Sequence, residues 1–333
     1  MTRYLARLSG GMQHRFWFAL MSLLLAAFGN GLAHAQTYPA KTVTLISDAA
    51  AGSSPDVTTR LVAEGLSKIW GQQVIVVNRP GANGSISARA AAEAAPDGYT
   101  LFVPSLSTFV ASHTVAENLP VKVPHDFLPI GFTADQPMFI TVSPAVHADT
   151  LAEFIALAKK EPGKLSVAVS GIGRLTHLTS ELLQSRAGIH FTSIPYTHGM
   201  SNALADAASG RVSLVIENFA AVIGGVKGGQ LKLMAVASAQ RLPDFPNVPT
   251  VAETLPGFSA TGWQAVLAPV GTPKPIVDKI SADLAQVVSG AEFKKRMAAL
   301  GGYPRAMTPD QVQAFITKEQ ETWLPIVQRV SKK

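Results

Sequence analysis

The sequence predicts an α/β protein of two lobes, and three observations carry that prediction. Short runs rich in β-branched residues alternate with segments of helical spacing, this pattern passes along the chain twice, and two extended segments lie where the chain would cross between halves. The candidate strands are Thr42–Ser47, Gln73–Val77, Thr100–Pro104, Leu165–Val169, Val212–Ile216 and Leu231–Ser238. Between them Val57, Leu61, Leu66 and Ile69 fall on one helix face, as do Leu151, Phe154, Ile155 and Ala158. Strand–helix alternation of this kind implies layers of helices on mostly parallel sheets.

Helix starts are legible. Ser54-Pro55-Asp56 offers a capping hydroxyl, a proline at the first helical position and an acid in the first turn. Thr150 and Glu153 have the spacing of a capping box, and Thr308-Pro309-Asp310 repeats the first pattern ahead of a long C-terminal helix. The first strand–helix series ends near Gln136. Met138–Pro144 reads as one crossing and Gly262–Pro269 as a second, after which only helices are expected, over 274–289, 291–300 and 310–330. Two crossings return the C-terminal part to the first lobe. That assigns residues 36–137 with 262–333 to lobe 1 and 138–261 to lobe 2, with a hinge of two extended segments and a cleft between the lobes.

The N-terminus reads as a secretory leader. Arg3, Arg7 and Arg15 form a positive region, Phe16–Phe28 is apolar, and Ala33-His34-Ala35 is a small-x-small cleavage site. The apolar run is shorter than the roughly 20 residues of a membrane span, so cleavage is expected rather than an uncleaved anchor. Removing residues 1–35 from the 333 leaves 298, enough for two packed lobes. The leader takes three arginines and no acid with it, so the net charge falls from +6 to +3. A balance that mild, without basic runs interleaved with aromatics, excludes a nucleic-acid surface. There is no cysteine. Stability therefore rests on burial alone, and a lipidated cysteine, a thiolate zinc site and a cysteine nucleophile are excluded.

No catalytic spacing is present. There is no His-Glu-x-x-His stretch and no Walker loop. Ala168-Val169-Ser170-Gly171-Ile172 lacks the first glycine of a nucleophile elbow, and Gly171-Ile172-Gly173-Arg174-Leu175-Thr176 has only two of three dinucleotide-loop glycines. No cofactor is expected. His113, His125, His147, His190 and His198 show no metal-ligand spacing. His177 fits equally a helix-start residue bonded locally and a ligand contact.

A loop type does recur. Small, hydroxyl-rich loops lead into helices at Ala49–Asp56, Ser105–Ser112 and Ser170–His177, with Tyr196-Thr197-His198-Gly199 a fourth ahead of a helix at Ser201–Ser209. Such loops lie beyond the carboxyl ends of the strands, where α/β sheets bind ligands. Their helix starts aim N–H groups at an anion.

The chain resembles the extracytoplasmic solute receptors of the tripartite tricarboxylate transporter family, the Bug-type receptors. The likeness rests on Tyr38-Pro39-Ala40-Lys41, Gly52-Ser53-Ser54-Pro55-Asp56, Val77-Asn78-Arg79-Pro80-Gly81-Ala82-Asn83-Gly84 and Pro96-Asp97-Gly98-Tyr99-Thr100-Leu101. Pro195-Tyr196 with Gly199, Pro246-Asn247-Val248-Pro249-Thr250-Val251-Ala252-Glu253, Ala268-Pro269-Val270-Gly271-Thr272-Pro273 and Leu300-Gly301-Gly302 follow in order. The resemblance implies a type II periplasmic-binding-protein fold and capture of an organic anion, typically a carboxylate, for delivery to a membrane permease. It implies a non-enzymatic, periplasmic protein, and a monomer is expected.

The resemblance also implies which residues hold the ligand. From the first lobe these are Gly52, Ser53, Ser54 and Asp56, then Ser105, Ser107 and Thr108; from the second, Ser170, Gly171, Gly173, His177, Tyr196 and Asn218. The chain departs from the family pattern at several points. Asp48 and Ala49 stand where Pro and an aromatic are usual, Arg174 replaces a small polar residue, Glu217 precedes Asn218 where Asp is frequent, and Thr197-His198 replaces a lysine after Tyr196. Asp48, Ala49 and Arg174 therefore join the candidate set. Arg174 suits a second carboxylate, which it can bind through two parallel hydrogen bonds, and equally suits a solvated loop or an ion pair with Asp48 or Glu217. Two other readings compete with the transport receptor. One is a sensory binding protein signalling to a membrane partner; the other is an exported hydrolase, which needs Ser170 within reach of a histidine.

Overall fold

The computed structural model describes residues 38–111, 121–123, 125–197 and 199–330. The leader, His113 and His198 lie outside the described residues. From Lys41 on, ten strands form one continuous ladder. β1 (Val43–Ser47), β2 (Val74–Asn78) and β3 (Thr100–Val103) pair in parallel in the order β2-β1-β3. β5 (Ser166–Val169), β6 (Thr192–Pro195) and β7 (Leu214–Asn218) repeat the arrangement in the order β7-β5-β6.

Two longer strands join the sets. β4 (Phe127–Val142) pairs antiparallel with β9 (Thr261–Pro269) through Pro137, and from Met138 it pairs antiparallel with β7 and β8 (Lys232–Val236). β9 in turn pairs antiparallel with β3. The sheet is thus mixed rather than mostly parallel, because the segments that cross between the strand sets are themselves ladder strands. Proline cannot donate to a ladder. Pro129 falls at a register shift of β4, and Pro137 is the last β4 residue facing β9. The expectation of helices alone after β9 is overturned by β10 (Tyr303–Pro304), a two-residue strand on β4.

The helices follow the apolar spacing with informative exceptions. Helix α1 (Ser54–Trp70) buries Leu61, Val62 and Leu66, but Ile69 is exposed, so the stripe ends a turn earlier than the spacing implies. Its N-cap is Ser53 and not Ser54, and Ser53 donates its hydroxyl to Ala50 O instead of capping. α2 (Ser85–Ala92) and the short α3 (Leu106–Ala111) complete the first strand series. In the second, α4 (Leu151–Lys160) buries Leu151, Phe154, Ile155 and Ala158 as expected. The Thr150 side chain accepts from Glu153 N, satisfying one orphan N–H of the first turn. α5 (Leu175–Ala187), α6 (Ser201–Ala208), α7 (Phe219–Lys227) and α8 (Val251–Thr254) follow, the last with a full capping box between Thr250 and Glu253. α9 (Lys274–Ser289), α10 (Ala291–Ala299) and α11 (Pro309–Val330) pack back on the first strand set. There Trp263 of β9 and Trp323 of α11 both donate to the Glu319 carboxylate. Among the described residues no helix is long and apolar enough to cross a membrane.

Candidate functional site

The carboxyl ends of β1 and β3 are tied by one buried acid. Asp48 is fully buried and accepts from the Ser105 amide at 3.1 Å, the Ser105 hydroxyl at 2.6 Å and the Thr108 hydroxyl. A buried carboxylate needs such donors, because leaving it unmatched costs several kcal/mol. Asp48 thus locks two loops together and spends its oxygens inside the protein. The same bonds consume the Ser105 and Thr108 hydroxyls. Ala49 and Ser107 are also buried. Gly84 makes this packing possible: a Cβ there would stand 1.8 Å from Thr108 Oγ1.

Asp56 organises the first glycine loop. Its carboxylate accepts from Gly52 N at 2.8 Å, Arg60 Nε at 3.0 Å and Asn78 Nδ2 at 2.8 Å, and Asn78 Nδ2 also donates to Ala49 O. Burial pushes its pKa up, but the hydrogen bonds from Arg60, Gly52 and Asn78 outweigh that and hold it below the usual range. Gly52 has φ +79°, a left-handed conformation open to glycine at little cost. Ser54 Oγ accepts from Gln136 Nε2, which also bonds Thr58 Oγ1. Gln136, next to the crossing, ties β4 to the start of α1; the sequence pattern did not single it out.

In the second strand series, the Ser170 amide donates to Thr176 Oγ1 and its hydroxyl bonds the same oxygen at 2.9 Å. Ser170 is bonded to no histidine among the described residues, so the pairing an exported hydrolase requires is absent. Gly173 N donates to His177 Nδ1 at 3.3 Å, and His177 lies buried 3.8 Å from Glu181. This favours the local reading of His177. Tyr196 donates its hydroxyl to Asp206 at 2.6 Å. Burial first, then Asp206, push the Tyr196 pKa up to about 12. The tyrosine therefore offers a ligand its backbone and ring, not a free hydroxyl. Asn218 caps α7 by accepting from Ala221 N.

Two charged groups remain to be placed. Arg174 is the half-buried N-cap of α5, and among the described residues it makes no ion pair; neither Asp48 nor Glu217 neutralises it. Glu217 is buried at the end of β7. Its Oε1 accepts from Asn218 N and Asn218 Nδ2, and burial pushes its pKa up.

The loops of the two strand series meet directly. Gly81, Ala82, Asn83 and Gly84 all have positive φ, and the Asn83 amide group lies 3.1 Å from where a Gly173 Cβ would stand. Four successive left-handed residues, one of them alanine, form a strained turn held by its surroundings. At the other side Phe219 of α7 fills the space beside Gly301, and Tyr303 donates to Asp244 at 3.1 Å. Among the described residues no group of His, Cys, Asp and Glu could hold a metal ion.

Loops leading into helices from both strand series thus approach one another at Asn83 and Gly173. The sequence matches the model of the tripartite tricarboxylate transporter family receptor over residues 58–331. Protein BugT of Bordetella pertussis is 35% identical over 94% of this chain and 99% of its own length. An R. palustris protein solved with adipate superposes at a TM-score of 0.80, with 29% identity over 89% of this chain and 98% of that one. MatC of Rhodopseudomonas palustris, solved with bound malate, superposes at 0.76 with 28% identity over 87% of this chain and all of that one. The chain belongs to the tripartite tricarboxylate transporter receptor family. It has the α/β fold of the periplasmic binding proteins and is a solute-binding receptor rather than an enzyme.

Proposed function

We propose that this receptor is exported by its leader, cleaved after Ala35, and acts as a periplasmic monomer. It closes lobe 1 (36–137 with 262–333) and lobe 2 (138–261) on a small dicarboxylate and delivers it to a tripartite tricarboxylate-type permease. The observation that carries the reading is Arg174, a half-buried guanidinium with no ion pair among the described residues, at the start of α5. An anion at that position gains the arginine's parallel donors together with the helix's free N–H groups. The first carboxylate is held by the amides of Ala50, Ala51 and Ser54, because those of Ala49, Gly52 and Ser53 already donate to Ser47, Asp56 and Ala50, and the second by Arg174. The adipate and malate held by two structural relatives belong to the same ligand class.

The test is a thermal-shift series on residues 36–333 with matched mono-, di- and tricarboxylates, amino acids, and neutral and cationic solutes. A ligand at 100 times its Kd contributes about 2.7 kcal/mol. For a chain of this size that raises Tm by roughly 4 °C. Arg174→Ala should weaken dicarboxylate binding by about tenfold or more and leave monocarboxylates nearly unchanged. Stabilisation by neutral or cationic solutes alone overturns the anion reading.

A further inference from the structure

The short strand β10 carries a side chain from one strand set to the other. Tyr303 and Pro304 pair with Asp135 and Ala134 of β4, just ahead of the crossing at Met138. The segment is fastened firmly to the first set. Arg305 N donates to Thr133 O, and the Arg305 guanidinium donates to both carboxylate oxygens of Asp135, at 3.0 and 3.1 Å. The same guanidinium lies 4.7 Å from the centroid of the Phe132 ring. Tyr303 itself, however, packs against the apolar cluster of the second set. Phe139, Phe219 and Phe245 form an aromatic group in that cluster, with ring centroids 4.7–5.6 Å apart. Among the described residues, every other member of the cluster comes from 138–261. The Tyr303 hydroxyl donates to Asp244 Oδ2 at 3.1 Å, in the loop after β8. Gly301, two residues earlier, has φ +66°, and a Cβ there would stand 2.3 Å from Phe219 Cβ. Only a residue without a side chain lets the two sets approach so closely.

We propose that Tyr303 is an interlobe latch: its ring, anchored on lobe 1 and seated in the lobe 2 cluster, holds the lobes in the arrangement in which the Asn83 and Gly173 loops meet, and so sets how much of the ligand-free receptor is ready to bind. This rests on the two-lobe reading above. A contact made in one lobe arrangement and lost in another biases the equilibrium by its own free energy. The apparent Kd is the intrinsic one divided by the binding-competent fraction. Weakening the latch therefore weakens every ligand by the same factor and leaves selectivity unaltered. The ring contributes most, because it is the part withdrawn from water, and the bond to the exposed Asp244 adds less.

The experiment has a readout that needs no ligand. The chain has no cysteine, so Glu93→Cys and Lys159→Cys place one nitroxide label on an exposed site of each lobe of residues 36–333. Pulsed electron spin resonance then measures the distance between the lobes, and calorimetry measures Kd for succinate, malate and adipate on the unlabelled protein. Tyr303→Ala should shift or broaden the distances and raise the Kd of all three acids alike, by about tenfold if the competent fraction falls to about a tenth. Tyr303→Phe keeps the ring and should raise them by about threefold. Circular dichroism shows whether each variant is folded. If Tyr303→Ala is not, Asp244→Ala replaces it, since the acid is exposed, and should match Tyr303→Phe. A folded Tyr303→Ala with wild-type distances overturns the latch, as does an Asp244→Ala indistinguishable from the wild type where it is the variant used. A loss confined to one of the three acids also overturns it, because the ring is then a ligand contact. A wild type that binds none of the acids, while Tyr303→Ala still shifts the distances, overturns the dicarboxylate reading and keeps the latch.

Discussion

Replacing Asp48 with alanine probes the knot beneath the binding loops. The substitution deletes the acceptor of three hydrogen bonds, from the Ser105 amide, the Ser105 hydroxyl and the Thr108 hydroxyl. A hydrogen bond to a charged group contributes about 1.5–3 kcal/mol, and an orphaned buried amide costs about 1–3 kcal/mol. The two hydroxyls can rotate to other acceptors, so the three losses do not add in full. The expected destabilisation is about 3–5 kcal/mol, in the range for breaking a buried charged network. For a chain of this length that lowers Tm by roughly 5–8 °C. Asp48→Asn keeps one acceptor oxygen and should cost about half as much. Urea unfolding of residues 36–333, followed by circular dichroism, measures both. A loss below about 1 kcal/mol for the alanine variant refutes the closed network and leaves Asp48 free to face the ligand. In that case Asp48→Asn should also tighten anion binding, which the closed network does not predict.

Three further outcomes follow from the same geometry. Gly84→Ala should cost at least about 2 kcal/mol, since φ is +92° and the new methyl meets Thr108 Oγ1; adding Thr108→Ala should restore part of it in a denaturant double-mutant cycle. Burial raises the Glu319 pKa against the opposing hydrogen bonds of Trp263 and Trp323. A carboxyl whose folded pKa is raised stabilises fully below its unfolded pKa and loses that contribution as pH climbs through the folded value. Wild-type stability should therefore fall from about pH 4.5 upward by an amount that Glu319→Gln abolishes, as read from urea midpoints at several pH values. Asp56 has the opposite sign: its pKa is lowered, so its contribution is present above the unfolded value and disappears as pH falls below about 4. Asp56→Asn should flatten the acid limb of the stability profile and loosen the Gly52 loop, seen as faster amide exchange at Gly52.

How much of this was legible in the sequence depended on whether the determinant is local. Six strands could be located within a residue or two, because runs such as Val74–Asn78 are β-branched and bounded by polar turns. Thr192–Pro195 escaped because Thr, Ser, Ile and Pro show neither alternation nor an apolar run; its place is set by pairing with β5. Tyr303–Pro304 is too short to carry any period and exists only as an addition to β4. The glycine and hydroxyl loops were visible as composition, but the stretch read as a loop at Ser105–Ser112 is largely helix α3 (Leu106–Ala111), and α5 starts at Leu175, inside the Ser170–His177 stretch. Which hydroxyls are spoken for was not visible. That Thr108 serves Asp48, that Tyr196 serves Asp206 and that Gln136 reaches Ser54 are matters of three-dimensional pairing across 10 to 82 residues. Arg174 and Glu217 stood out only as departures from a family pattern; that Arg174 makes no ion pair among the described residues and that Glu217 serves Asn218 needed the structure.

The strand order has a consequence for how the chain comes to be folded. Among the described residues β1, β2 and β3 connect to the rest of the sheet only through β9, with Phe102 opposite Leu267, almost half the chain later. A chain made from its N-terminus therefore holds β3 with an open edge until β9 emerges, after the second strand series is complete. Open edges recruit other strands, and pairings between distant segments form slowly. The second series can close first, since β4 to β8 are contiguous in sequence, while the first three strands wait for their neighbour. The first three strands are thus the last part of the sheet to gain all their neighbours, although they are the first part to be made.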